Sequence, residues 1–424
     1  MTVREEILQA LLDLDQKDLN LGDLSQRTMK NPEDQGLYLE VVKGVLSHRL
    51  TLDYYINQVT KKNKKIHAPI REILRLSLYQ WIYLSKIPSR AIVYEGVNLA
   101  KKYGHKGSVG FVNAVLRRLT KERLDPDKIQ GKTWAEGVSL RESLPLELVE
   151  YFKKTYSRQW TESFAQASNE RPGLYINLNP LKGSPQEIQE SLEKEGLVID
   201  NRTTKGTGFQ VIKGNPLKTP SFKKGLYYIQ DQGAMEVVDF AMKGYEKGTF
   251  KLLDVCGAPG GKSIGAIFIN PDLEVQCCDQ SPEKLEKIEE NIKRLGLKNI
   301  HPLLRDGRKG LPGERETYDL VFVDAPCSGF GLFRRKPEIK YRRGLKDVKN
   351  LSKLQGEILS RSASCVKIEG SLIYSTCTLT LEENEEVVED FLQEYPNFYL
   401  DDQRVLLPQE GRDGFKMFRL VRKR

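Results

Sequence analysis

Two cysteines stand where thiol chemistry could be done. Cys327 lies in Asp324-Ala-Pro-Cys-Ser-Gly329 and Cys377 in Tyr374-Ser-Thr-Cys-Thr378. Each closely follows a short apolar run, residues 320–323 and 371–374, that reads as a buried parallel strand. In open α/β sheets ligands bind beyond the carboxyl ends of such strands, so both thiols are expected in one crevice. A solitary cysteine in such a place is ordinarily a small buried hydrophobe. Here the two come with a carboxylate, Asp324, in the same turn.

A third turn adds to the set. Residues 250–255 read as a strand running into Cys256, Gly257, Ala258, Pro259, Gly260, Gly261 and Lys262, with a helix after them. A glycine-rich turn between strand and helix lets backbone approach a ligand and aims helix N–H groups at it. It is not a P-loop, because the first glycine of that motif would fall at Cys256. It also lacks the G-x-G-x-x-G spacing of a dinucleotide site. The following strand, residues 274–278, ends at Asp279, 25 residues after Asp254. There a carboxylate can accept from a nucleoside ribose, although it or Ser281 could equally cap the next helix. A further strand, residues 299–304, ends near Asp306.

These segments resemble the signature motifs of the S-adenosylmethionine-dependent RNA (cytosine-5) methyltransferases. Tyr228-Ile-Gln-Asp-Gln232, Arg334-Arg-Lys-Pro-Glu338 and Asp413-Gly-Phe415 are supporting matches, and the likeness spans residues 140–424. Three departures stand out: the family's usual Ala is Gly257, the Arg often found in its Arg-x-Asn segment is Asn177, and a second Phe after Phe415 is Lys416. The resemblance implies Cys377 as the nucleophile that adds to carbon 6 of cytosine, with Cys327 helping to break the adduct. It implies Asp324 on the pyrimidine's nitrogen edge and S-adenosylmethionine along 256–262, with Asp279 on the ribose and Asp306 near the adenine. Carbon 5 of cytosine is a poor nucleophile until a thiolate adds to carbon 6, which explains the need for a cysteine.

The chain has 424 residues, with Lys+Arg 67 against Asp+Glu 58 and a formal charge of +9, which suggests a polyanionic partner. The excess is sharpest over residues 334–349, where Arg334, Arg335, Lys336, Arg342 and Arg343 are candidates for RNA phosphates. The six cysteines form no C-x-x-C pair and there are four histidines, a pattern that speaks against zinc and against a disulfide framework. There is no apolar run of membrane-spanning length and no signal-peptide pattern, so a reducing, cytoplasmic protein is expected.

Three parts must position these residues. Residues 1–125 read as an all-α bundle, with Ile70, Leu74, Leu78 and Trp81 marking one helix face. Arg71-Glu-Ile-Leu-Arg-Leu-Ser-Leu-Tyr79 and Gly110-Phe-Val-Asn-Ala-Val-Leu-Arg117 resemble the RNA-binding helical domain of the NusB family, which makes Arg71 and Arg75 further phosphate candidates. Residues 126–225 read as a linker and a small α+β unit, similar to the RNA-recognition-like module of the methyltransferase family. Residues 226–424 read as a Rossmann-like α/β domain. This order is similar to bacterial 16S ribosomal RNA (cytosine-5) methyltransferases. A transfer RNA enzyme of the same chemistry is the alternative, and a non-catalytic RNA-binding assembly factor is a further one. No obligate protein partner is expected.

Overall fold

The computed structural model describes residues 1–17, 19–60, 66–200, 208–309 and 314–424. The chain forms two compact units: Met1–Glu170 with Phe333–Gly344, and Arg171–Leu332 with Leu345–Arg424.

The first unit is helical. Its opening helix, Val3–Gln16, is started by a capping box in which Thr2 accepts from the Glu5 N–H and Glu5 from the Thr2 N–H. Ala68–Tyr83 begins with Pro69, a residue suited to the first turn because its missing N–H has no intrahelical partner there. That helix buries Ile70, Leu74 and Leu78 against Ile7, Leu11, Val41 and Val45, as its apolar spacing predicts, with Trp81 packed at the rim.

The first expected boundary is corrected. The polar stretch at 124–133 does not end the unit, because Trp134–Glu142, Leu146–Thr155 and Arg158–Ala167 continue it. Thr51, fully buried, donates through Oγ1 to Leu140 O (2.7 Å), and its N–H donates to Ser143 Oγ (3.0 Å). These bonds bind the later helices to Arg49–Val59. Ile129, inside the supposed linker, is itself buried.

The second unit holds two sheets. The smaller has β1 (Tyr175–Leu178), β2 (Val198–Asp200), β3 (Gly208–Lys213) and β4 (Tyr227–Ile229) in the antiparallel order β2-β3-β1-β4. The helix Pro185–Lys194 covers one face, placing Ile188 and Leu192 on Ile176, Leu178, Phe209 and Tyr227. The small module thus runs past its expected end at 225, because β4 is needed to pair with β1.

The larger sheet contains β5 (Lys251–Asp254), β6 (Glu274–Asp279), β7 (Ile300–Leu304), β8 (Tyr318–Asp324), β9 (Val366–Thr376), β10 (Phe398–Leu406) and β11 (Phe415–Arg422). Their order is β10-β11-β9-β8-β5-β6-β7. The five strands from β9 to β7 are parallel, β11 pairs antiparallel with β9, and β10 pairs antiparallel with β11. Continuous apolar runs such as Leu320-Val-Phe-Val323 suit strands covered on both faces. Register aligns the strand tips, with Asp254 opposite Cys277 and Phe322, and Asp324 opposite Ser375.

Candidate active site

Strands β8 and β9 are parallel neighbours, so the turns leaving their carboxyl ends emerge side by side. Ala325 N–H donates to Ser375 O (3.0 Å) and Gly331 N–H to Cys377 O (3.0 Å), lacing the two turns together. The result is a pair of thiols with Cys327 Sγ and Cys377 Sγ 3.1 Å apart. The hydrogen bond with Cys377, followed by burial, pushes the Cys327 thiol well above the ordinary thiol range.

Asp324 sits at the tip of β8. Ser375 Oγ donates to its Oδ1 (2.8 Å) and Lys262 Nζ to its Oδ2 (2.5 Å). Burial alone would lower the Lys262 ammonium, but the charge and hydrogen bond of Asp324 outweigh it and the net shift is upward. Lys262 therefore stays cationic beside the carboxylate. Sequence reasoning assigned Lys262 to the cofactor turn alone and missed this pairing.

The glycine-rich turn enters the helix Gly261–Ile269 through Gly260, which has φ 97°, a left-handed conformation suited to glycine. At Gly257 an added Cβ would lie 2.3 Å from Cys277 Sγ, so the departure from the family's alanine is matched by the cysteine on β6. Behind the turn Asp254 is fully buried, and burial pushes its carboxyl up to about 6. Its Oδ2 accepts from Ser263 Oγ (2.7 Å), while Oδ1 has no partner among the described residues. Asp279, at the tip of β6, accepts from the Ser281 N–H through Oδ1 (3.0 Å), and among the described residues no donor reaches its Oδ2. Asp306 follows β7, and the Arg308 guanidinium and backbone N–H both bind its carboxylate, holding it down at about 2.

A cationic sulfonium nucleoside fits this set. The orphaned buried oxygen of Asp254 and the open oxygen of Asp279 are acceptors, and the first-turn N–H groups of Gly261–Ile269 face the turn. The small module braces the same helix, because Asn177 Nδ2 donates to Gln230 Oε1 (3.2 Å) and Gln230 Nε2 to Gly261 O (2.8 Å).

The expected phosphate ligands need correction. Arg334 is 2 % exposed and pairs with Glu170 (3.6 Å), so it is not offered to RNA. Arg342 is exposed, yet its guanidinium donates to Leu14 O (2.6 Å). In the helical unit Arg75 is buried between Asp53 and Glu72, and Arg71 donates to Asp53 (3.0 Å) and Asn57 (3.2 Å). Long cationic side chains were needed inside to neutralise carboxylates, which a composition-based reading assigns to the surface. Lys336 and Arg343 are exposed and Arg335 is half-buried.

The profile of the 16S rRNA methyltransferase RsmB/F family matches residues 242–421 and that of the NusB family residues 1–121. A probable ribosomal RNA small subunit methyltransferase B of Bacillus subtilis is 36% identical over 94% of this chain and 90% of its own. The chain belongs to the RsmB/F family of 16S rRNA methyltransferases. The ribosomal RNA small subunit methyltransferase B of Photorhabdus laumondii is 30% identical over 92% of the chain and 91% of its own length. Among solved structures, PH0851 superposes with a TM-score of 0.79 at 20% identity, covering 98% of this chain and 96% of its own. NSun6 from Pyrococcus horikoshii with SFG gives 0.59 at 22% identity, over 67% and 99%. These two show a shared fold. As an RsmB/F member this is an S-adenosylmethionine-dependent RNA methyltransferase. Among the described residues there is no cluster that could hold a metal ion and no helix long and apolar enough to cross a membrane.

Proposed function

We propose that the protein methylates carbon 5 of a cytosine in 16S ribosomal RNA through a covalent adduct with Cys377, in the cytoplasm. The observation that carries this reading is the 3.1 Å approach of two thiols at the tips of adjacent strands, beside a Lys262–Asp324 pair. S-adenosylmethionine supplies the methyl group. Cys377, as a thiolate, bonds through Sγ to carbon 6, and the displaced 5,6 π electron pair makes carbon 5 nucleophilic towards that methyl. Asp324 hydrogen-bonds the nitrogen edge of the base, and Lys262 opposes the charge gathering in the ring. Cys327, as a thiolate, then takes the proton from carbon 5, and the C–H electron pair restores the 5,6 double bond and expels Cys377 as its thiolate.

The base must leave its stack to reach either sulfur, at a cost of a few kcal/mol that is smallest in a single-stranded loop. A loop cytosine is the expected target. Cys377→Ser should abolish methylation and leave no RNA-linked band on a denaturing gel. Cys327→Ser should methylate and then accumulate that band. The reverse pattern exchanges the two roles, and full activity in both variants refutes the thiol mechanism. Assaying free 16S RNA, assembled small subunits and transfer RNA side by side identifies the substrate, and preference for transfer RNA would overturn the ribosomal reading.

A further inference from the structure

Glu383 is a carboxylate with 0% exposure, and among the described residues no cationic side chain pairs with it. Four donors surround it. Ser328 N–H (2.7 Å) and Gln355 Nε2 (3.0 Å) donate to Oε1, while Ser328 Oγ (2.6 Å) and Thr380 Oγ1 (2.8 Å) donate to Oε2. An ionised carboxylate has about four acceptor sites, and all are filled.

The donors matter for where they sit. Ser328 follows Cys327, and its hydroxyl, spent on Glu383, accepts from Thr378 Oγ1 (2.8 Å), the residue after Cys377. Gln355 gives its second amide hydrogen to Pro326 O (2.9 Å), the residue before Cys327. Tyr374, on the strand leading to Cys377, donates to the backbone oxygen of Glu383 (2.6 Å). Both flanks of Cys327, and through Ser328 the residue after Cys377, therefore converge on the Glu383 side chain, while the strand leading to Cys377 is tied to the Glu383 backbone. We propose that Glu383 is the positioning residue that fixes the two thiols relative to each other and thereby sets the rate at which the RNA adduct is released. This inference rests on the covalent mechanism proposed above.

The chemistry suits a carboxylate, which only accepts. In Glu383→Gln the amide oxygen can keep the Oε1 bonds, and the hydroxyls of Ser328 and Thr380 can turn to accept from the new NH2. Glu383→Asp keeps the charge but falls about 1.5 Å short, and a displacement of that order at a reacting group costs up to about 100-fold.

Two measurements test this. The first is the rate at which diamide, taking one hydrogen from each thiol, joins Cys327 to Cys377 in the RNA-free protein, read by mass spectrometry. The second is the single-turnover lifetime of the RNA-linked band. Glu383→Asp and Glu383→Ala should slow disulfide formation about tenfold or more and lengthen the band's lifetime similarly, with KM for RNA within about threefold of the parent. Glu383→Gln should stay within about threefold on both, with parental S-adenosylmethionine affinity in Glu383→Gln and Glu383→Asp. Should Glu383→Ala not fold, Glu383→Asp and Glu383→Gln decide alone. Unchanged disulfide formation in Glu383→Asp overturns the proposal, as does slowed disulfide formation with a parental adduct lifetime. A Cys327→Ser protein that forms no adduct sinks the covalent reading instead, while the diamide rates still decide whether Glu383 places the thiols.

Discussion

Gly257→Ala is the smallest change that measures how tightly the cofactor turn is built. The new Cβ would lie 2.3 Å from Cys277 Sγ and 2.9 Å from Asp254 Cγ. Ordinary van der Waals separations are about 3.5–4 Å, so a partner must retreat by more than about 1 Å. Both neighbours are fully buried on paired strands and have nowhere to go. Overpacking by one methyl group costs about 1–3 kcal/mol, and the value should fall in the upper half of that range. Cys277→Ala removes the sulfur and alone should cost about 1 kcal/mol as a small cavity. In the double variant the sulfur clash is gone while the 2.9 Å approach to Asp254 Cγ remains, so the two costs should not add in full. A coupling of about 2 kcal/mol in the favourable direction is expected from urea unfolding of the four proteins. Titration calorimetry should show S-adenosylmethionine affinity lost in Gly257→Ala and largely restored in the double variant. Parental stability of Gly257→Ala, or singles that simply sum, would refute the packing argument.

Asp279→Ala should weaken S-adenosylmethionine by about 1.5–3 kcal/mol, the worth of a charge-assisted bond; unchanged calorimetric affinity removes Asp279 from the site. Lys340, buried in the helical unit, is pushed by burial from 10.5 down to about 7, with Glu142 opposing. Between those values the unfolded chain holds a proton the folded chain has lost, so this group's contribution to stability rises from about pH 7 to pH 10, by at most about 5 kcal/mol. Lys340→Met should remove that rise, seen as a pH-dependent difference from the parent in denaturant unfolding. Neutralising exposed Lys336 and Lys349 should reduce the salt slope of RNA binding by about one unit for each phosphate that no longer meets a cation. Arg334→Ala should leave that slope alone and lower the melting temperature.

The strand tips were legible because each buried strand is a short apolar run and each ends at a residue whose chemistry marks a turn. The placement of Asp279, Asp324 and the two cysteines at or after strand ends follows from that pattern, and the roles given to them follow from the resemblance to the methyltransferase family. Glu383 was not legible. It lies in Leu381-Glu-Glu-Asn-Glu-Glu386, which reads as the solvated start of an acidic helix, and nothing local distinguishes the one carboxylate that is buried. Its four donors come from positions 328, 355 and 380, a convergence only the fold creates. The basic run at 334–349 misled for the same reason. Lys340 Nζ donates to Ser47 O, Glu142 O and Asn169 Oδ1, and Glu338 accepts from the Leu21 N–H, all acceptors and donors far away in sequence. A charge count sees the cations and not the carbonyls awaiting them.

The assignment of Phe333–Gly344 to the helical unit has a consequence for how the protein is made. A ribosome releases residues 1–170 well before it reaches 333, so the bundle emerges with a gap in its own structure. Until Lys340 arrives, the Ser47 carbonyl lacks the Nζ donor that the finished unit gives it, whereas Glu142 O can already accept from Asn169 Nδ2 (2.8 Å). The amino-terminal unit therefore gains its Lys340 bonds only after residue 340 has been made. Its last piece is delivered by chain that has already passed through the cofactor turn and the Cys327 turn, and a polypeptide stopped at residue 170 lacks the Phe333–Gly344 segment that the finished unit contains.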